Sequence, residues 1–174
     1  MDISFKKLTQ PTPEIAAKFD KWESDLALIP FIRPNRAEAD LNTIESVTAE
    51  SLLQRMEHEE IYLIYKEDKL VGEMNYQVDP KHLYKKIPGT AWIGITIGEE
   101  FARRKGVGKL AMEYLEEQIR VQGFQRIELG VFEFNINAFK LYQKLGYQEI
   151  SRIKDFTYWQ DRFWQDIRME KHLE

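Results

Sequence analysis

The stretch Ala91–Gly108, AWIGITIGEEFARRKGVG, decides how this chain is read. Its first seven residues are apolar on both faces apart from Thr96, as expected for a central strand. An acidic turn, the basic cluster Arg103-Arg104-Lys105 and two glycines follow, and from Lys109 onward the sequence turns amphipathic. A strand that runs into a glycine-bearing turn and then a helix start leaves several backbone N–H groups unpaired at one point. Those donors and the helix dipole both favour negative charge, so the spacing predicts a nest for phosphate oxygens. Arg103, Arg104, Lys105 and Lys109 place positive charge beside it.

Outward from this stretch, the elements alternate. Downstream, Val107–Gln122 has helical spacing of Ala111, Leu115 and Ile119, ended by Gly123. Arg126–Phe132 then alternates as a strand, which completes a βαβ unit with parallel pairing and a right-handed crossover. A second helix is expected over Asn137–Leu145, stopped by Gly146, and two strands, Tyr147–Phe156 and Arg162–Met169, around a turn at Gln160-Asp161. In the last strand Phe163, Gln165, Ile167 and Met169 alternate with Trp164, Asp166, Arg168 and Glu170. Upstream, Ile3–Leu8, Ile61–Tyr65 and Leu70–Val78 read as strands, and Glu14–Trp22 and Thr48–Glu59 as helices. Pro30 and Pro34 punctuate a linker, and Asp79–Gly89 reads as a loop. The expected fold is α/β: a mixed, mostly antiparallel sheet of six or seven strands with a central parallel βαβ unit and helices on both faces.

Composition narrows the function. The 174 residues suit a single domain over 1–174, and 43% hydrophobic content with 13% aromatics supplies a core. A net charge of −4, from 25 basic and 29 acidic residues, disfavours a nucleic-acid partner. The absence of cysteine removes disulfides, thiol nucleophiles and thiolate metal sites, and is compatible with a reducing compartment. MDISFKKLTQPTPE has no apolar signal core, and no stretch approaches the roughly 18 apolar residues of a membrane span. No membrane partner is therefore expected, and a cytoplasmic location is. His58, His82 and His172 show no ligand spacing, so no metal is expected.

Two motifs carry a resemblance. Arg103-x-x-Gly106-x-Gly108 at the start of the helix is similar to the acyl-CoA signature of the GNAT superfamily, the Gcn5-related N-acetyltransferases. Asn135-x-Asn137-Ala138-x-x-Leu141-Tyr142-x-x-Leu145-Gly146-Tyr147 resembles the second signature of that family, in the same order and with a strand between the two. The resemblance covers about residues 60–172 and implies the acyl-CoA N-acyltransferase fold with acetyl-CoA as cosubstrate. It implies that the amides of Arg104, Lys105, Gly106, Val107, Gly108 and Lys109, beside Arg103, cradle the diphosphate. The strand ending at Ile97 would pair with the pantetheine arm, Asn137 would touch the cosubstrate, and Tyr142 would protonate the departing thiolate. Two positions depart from the common pattern. Ala102 stands where an aromatic is frequent, and Arg104 stands where glycine is frequent, which calls for a turn without positive φ there.

The chemistry of the residues agrees. Acyl transfer from a thioester to an amine needs an uncharged amine, donors for the developing oxyanion, and a proton for the thiolate. A phenol with an ordinary pKa of about 10 suits the last task. For the amine proton Glu73, next to Gly72 on the neighbouring strand, ranks ahead of Glu99 and Glu128. Trp92, Tyr76, Tyr84, Phe134, Tyr158 and Trp159 are candidates for the acceptor wall, although each alone also reads as packing. Between Glu14 and Glu60 stand 11 acidic and 5 basic residues, either a solvated surface or an acidic rim that attracts a cation. The expectation is direct transfer to a primary amine of a small molecule, with a polyamine or amino sugar favoured. The alternatives are a protein N-terminus or lysine as acceptor, and a non-catalytic acyl-CoA-binding module. Arg33 and Arg36 would suit an acceptor carboxylate. A homodimer is compatible with the aromatics of Tyr158–Trp164.

Overall fold

The computed structural model describes residues 2–174. Its strands are β1 (Ile3–Lys7), β2 (Glu60–Lys66), β3 (Lys69–Val78), β4 (Thr90–Ile97), β5 (Arg126–Phe132), β6 (Gln148–Trp159) and β7 (Arg162–His172). Its helices are α1 (Pro13–Glu23), α2 (Ile29–Ile32), α3 (Ala49–Arg55), α4 (Val107–Val121) and α5 (Ile136–Lys144). The strands make one seven-stranded sheet in the order β1-β2-β3-β4-β5-β7-β6. All neighbours run antiparallel except β4 and β5, the parallel pair joined through α4. The mixed sheet with a central βαβ unit is therefore as the sequence pattern indicates.

Local chemistry sets the element ends. Thr12 caps α1 by accepting the Ile15 N–H at 3.2 Å, with Pro13 in the first turn. Thr48 and Ser51 form a capping box on α3. That helix ends at Arg55, short of the expected Glu59. The N–H groups of Glu57 and His58 bond only three residues back, and the tightened turn feeds into β2 at Glu60. Pro30 stands in the first turn of a short α2 instead of merely breaking the chain, because an N–H there would have no helical partner. Gln160 and Asp161 both take positive φ, 49° and 62°, as the two-residue turn between β6 and β7 requires.

Strand alternation divides the residues between two faces. On one face Tyr62, Ile64, Met74, Ile93, Ile127, Leu129 and Val131 pack with α4 through Ala111, Met112, Leu115 and Ile119, and with Tyr142 of α5. On the other, Ile61 and Leu63 of β2 pack with Phe19 and Trp22 of α1 and Leu52 of α3. That second face turns polar towards the centre. Glu73, Asn75 and Gln77 lie opposite Thr96, Gly94 and Trp92. Glu128, Gly130 and Phe132 lie opposite Glu170, Arg168 and Asp166.

The central pair separates early. The β4–β5 ladder holds only Thr90, Ala91 and Trp92 against Arg126, Ile127 and Glu128. From Ile93 to Ile97, β4 keeps β3 as its partner while its other edge leaves β5.

Candidate active site

A cleft of 1220 Å³ opens where these strands part. Ile93, Gly94, Ile95 and Thr96 line it from β4, and Gly130, Val131 and Phe132 from β5. Residues of both strand parities are present, so the cleft passes through the plane of the sheet at the gap. Tyr142 reaches it from the α5 side, while Glu73, Asn75, Gln77, Asp166 and Arg168 reach it from the opposite face.

At the end of β4 the chain makes the expected nest. Gly106 is the N-cap of α4, with φ 79° and no side-chain cap, which leaves the N–H groups of Val107, Gly108 and Lys109 without helical partners. Arg104 also has a positive φ, 58°. The expectation of a turn without positive φ there is therefore corrected: the arginine adopts the left-handed conformation that glycine takes more cheaply. Arg104, Lys105 and Lys109 are exposed. Arg103 instead folds back, donating from Nε to the Ile97 carbonyl at 2.9 Å and from Nη2 to the Gly98 carbonyl at 2.8 Å. Its backbone N–H bonds the Glu100 carbonyl at 3.0 Å. Arg103 thus holds the turn to the strand end, with its guanidinium committed to carbonyls. Close packing fixes the surroundings. A Cβ on Gly98 would collide with the Trp22 ring, and one on Gly108 would stand 3.3 Å from Leu141 of α5.

Tyr142 is 8% exposed and stacks edge-on with Tyr147, ring centroids 5.9 Å apart. Burial alone pushes its phenol up to about 12, with no charge contributing. The hydroxyl therefore stays protonated throughout the neutral range. Asn137, on the first turn of α5, is exposed and stands outside the cleft wall, whereas the helix N-cap Asn135 is part of that wall.

Glu73 lies on the cleft with both carboxylate oxygens occupied. Arg55 Nη2 donates to them at 3.3 and 3.4 Å, and Asn75 Nδ2 at 3.3 and 3.2 Å. Arg55 also pairs with Glu59, which accepts from Gln77 at 2.9 Å. Burial opposes the charge of Arg55, but Glu73 and Glu59 more than offset it and raise its pKa further. A Cβ on Gly72 would collide with the Thr96 carbonyl oxygen, so this glycine does permit the close approach of β4.

The two rival carboxylates have other work. Glu99 accepts from Lys18, Lys21 and Trp22 Nε1, tying α1 to the turn after β4. Burial works against its charge, yet these hydrogen bonds hold its carboxyl down at about 2. Glu128 is 0% exposed, pairs with Arg126 at 2.9 Å, and accepts from the backbone N–H groups of Tyr84 and Lys85. It therefore anchors the loop between β3 and β4.

The aromatic candidates separate by location. Trp92 lines the cleft, edge-on to His82 at 4.5 Å. Phe134 and Trp159 form a cluster with Phe31 and Trp164, centroids 4.4–5.4 Å apart for the pairs each ring makes with Phe31 or Phe134. Tyr76 is buried against Phe124, Tyr158 packs on Phe163 in the hairpin, and Tyr84 is exposed. Arg33 is committed to the Asp40 carbonyl at 2.8 Å and the Thr43 carbonyl, and Arg36 lies 5.7 Å from the Phe156 centroid. Arg33 Nη2 is thus taken while its buried Nε has no partner, and Arg36 is exposed with one long contact from Nη1 to the Asp155 carbonyl at 3.4 Å.

Sequence reasoning passed over Arg55, Asn75, Asp166, Arg168 and His82, all on the cleft. Alternation along β7 grouped Asp166 with Arg168 but gave no sign that their face was the cleft and not solvent. Six carboxylates (Glu23, Glu45, Glu57, Glu59, Glu73, Asp166) and three guanidinium groups (Arg33, Arg55, Arg168) line the space. The local field therefore favours a cation. Among the described residues no helix is long and apolar enough to cross a membrane.

Comparison with known proteins gives a family match. The model of the acetyltransferase (GNAT) family covers residues 22–147. A spermine/spermidine N(1)-acetyltransferase of Bacillus subtilis is 33% identical over 86 residues, 49% of this chain and 57% of that protein. The chain thus spans a little over half the length of the curated relatives it first matches. Among solved structures, a spermidine N-acetyltransferase from Vibrio cholerae in complex with CoA and spermine superimposes with a TM-score of 0.76 at 13% identity, covering 98% of this chain and 95% of that one. A ribosomal-protein-alanine N-acetyltransferase from Brucella melitensis gives 0.76 at 16% identity, covering 98% and 99%. The fold alone is thus shared by proteins named for quite different acceptors.

Proposed function

Because this chain belongs to the acetyltransferase (GNAT) family, we propose that it transfers the acetyl group of acetyl-CoA directly to a primary amine of a small cationic molecule. One observation carries the reading: a gap between two parallel strands has an unpaired amide nest beyond one end and a buried, protonated phenol within it. The residues present fit the cosubstrate. The N–H groups of the Arg104–Lys109 segment, with the charges of Arg104, Lys105 and Lys109, suit a diphosphate. The free edge of β4 up to Ile97 suits the amide-bearing pantetheine arm, and Arg103 fixes that edge relative to the nest. Asn137, exposed beside Gly108's packing partner Leu141, meets the cosubstrate from outside the gap.

Acetyl-CoA supplies the activated acyl group; the protein supplies donors and proton positions. Main-chain donors of β4 stabilise negative charge growing on the carbonyl oxygen. Tyr142 gives its proton to the sulfur as the C–S bond breaks. A phenol at about 12 is a weak acid in isolation. The same desolvation also disfavours a bare thiolate, however, and narrows the mismatch. Glu73, paired with Arg55 and Asn75, adds to the negative charge that draws the ammonium into the cleft. A polyamine or amino sugar fits the excess of carboxylates better than a peptide N-terminus, which offers one charge. The test is a panel of amines with acetyl-CoA, read by release of free thiol. Polyamines and amino sugars should turn over well ahead of N-terminal and lysine peptides, and a peptide preference would reject the acceptor class.

A further inference from the structure

We propose that Asp166, and not the arginine-clamped Glu73, is the group that takes the proton from the acceptor ammonium; this rests on the acetyltransferase reading above. Asp166 projects from β7 onto the polar face and is 3% exposed, yet it forms part of the cleft wall. Only one of its oxygens is engaged: Oδ2 accepts from Arg168 Nε at 2.8 Å. Oδ1 has no hydrogen-bond donor among the described residues. Glu73, by contrast, has four donor contacts over its two oxygens. Both Glu73 oxygens are thus already occupied by Arg55 and Asn75, whereas Oδ1 of Asp166 is open.

The position is as telling as the partners. The carboxylate lies directly over Gly130, where a Cβ would stand 2.7 Å from Oδ2, 3.0 Å from Oδ1 and 3.1 Å from Trp92 Cη2. Gly130 is two residues beyond Glu128, the last β5 residue paired with β4. Any side chain at 130 would therefore cover the acid where the strands part. Gly130 keeps Asp166 open to the gap, and Phe132 and Phe156 line the same cleft. The charged and titratable groups around it are Arg168 on its own strand, His82 from the β3–β4 loop, Glu128 on β5 (3.7 Å from Arg168 Nη1) and Arg36 near Phe156. Burial raises the Asp166 carboxyl above its ordinary value, and Arg168 only partly opposes this. Burial likewise lowers His82, reinforced by Arg168, so the imidazole is neutral at neutral pH.

The step balances. One N–H proton of the ammonium passes to Oδ1 and from there to solvent, which frees the nitrogen lone pair. Nitrogen bonds to the acyl carbon and the C–S bond breaks. Sulfur takes the Tyr142 proton, and the second proton lost by nitrogen restores the phenol.

The experiment is the pH profile of kcat/KM for the best amine, between pH 7 and 9.5, in the wild type, Asp166→Asn and Gly130→Ala, with acetyl-CoA affinity followed separately. General-base removal predicts a loss of about 100-fold at pH 7 in Asp166→Asn. The deficit should shrink to within roughly tenfold at pH 9.5, because more amine arrives neutral as pH approaches an alkylamine pKa of about 10. Acetyl-CoA affinity should be unchanged. Gly130→Ala should reproduce the pH-dependent deficit, and it carries the test alone if Asp166→Asn folds poorly. A purely structural Asp166 would give one factor at every pH, and such a flat deficit, or none, overturns the assignment. Wild-type protein that turns over no amine overturns the acetyltransferase reading and this inference with it.

Discussion

Tyr142→Phe separates rate from binding and from stability. Burial is the sole influence on the phenol's acidity, and the hydroxyl has no hydrogen-bond partner among the described residues. The ring keeps its edge contact with Tyr147. Removal of a buried hydroxyl without a partner should change stability by less than about 1 kcal/mol. In the reaction the hydroxyl donates to sulfur as it acquires charge, and a hydrogen bond to a charged group contributes about 1.5–3 kcal/mol. At 1.36 kcal/mol per factor of ten, kcat should fall by about 10- to 150-fold. Stopped assays of thiol release, with calorimetric acetyl-CoA affinities, read both quantities. Affinity should remain within roughly twofold. Undiminished kcat in the phenylalanine variant would refute the acid role, and an equal loss in affinity would make Tyr142 a binding residue.

Three further outcomes follow from the packing. Gly72→Ala forces a methyl against the Thr96 carbonyl oxygen and within 3.1 Å of Ile97 Cα, both backbone atoms that cannot rotate away. It should cost about 1–3 kcal/mol in urea unfolding and raise the KM for acetyl-CoA by displacing the end of β4. Arg104→Gly relieves a left-handed arginine and should raise stability by up to about 1 kcal/mol in the same assay, while weakening acetyl-CoA binding through loss of charge. Glu99 has a folded pKa depressed to about 2, so its contribution is complete above the ordinary value near 4.5 and is lost as pH falls towards 2. Glu99→Gln should therefore destabilise at pH 7 by at most about 3 kcal/mol and flatten the fall in melting temperature between pH 5 and 2.

Much of this molecule is legible in its residue order. Alternation and glycine placement locate the β4–α4–β5 unit because each of its signals is local: an apolar run, a turn, a 3.6-residue stripe. The nest is legible for the same reason, since Gly106 and the donors of Val107, Gly108 and Lys109 are sequence neighbours. What escapes is long-range. Arg55 and Glu73 meet across 18 positions, and Lys21 and Glu99 across 78. Nothing in either segment names its partner. Glu99 and Glu128 looked available to an acceptor only because their cations and amides come from distant elements. Arg103 shows a second limit. Its position in the turn is evident, but the direction of its guanidinium depends on how β4 ends. Asp166 was hidden by a face ambiguity, as alternation says which residues share a side and not what lies over that side.

Titration of the purified protein with acetyl-CoA and with coenzyme A in a calorimeter addresses the account at its root. One-to-one, salt-sensitive binding of both, with a dissociation constant between about 1 μM and 1 mM, is the predicted result. No saturable heat or displacement with either ligand up to about 1 mM would contradict it.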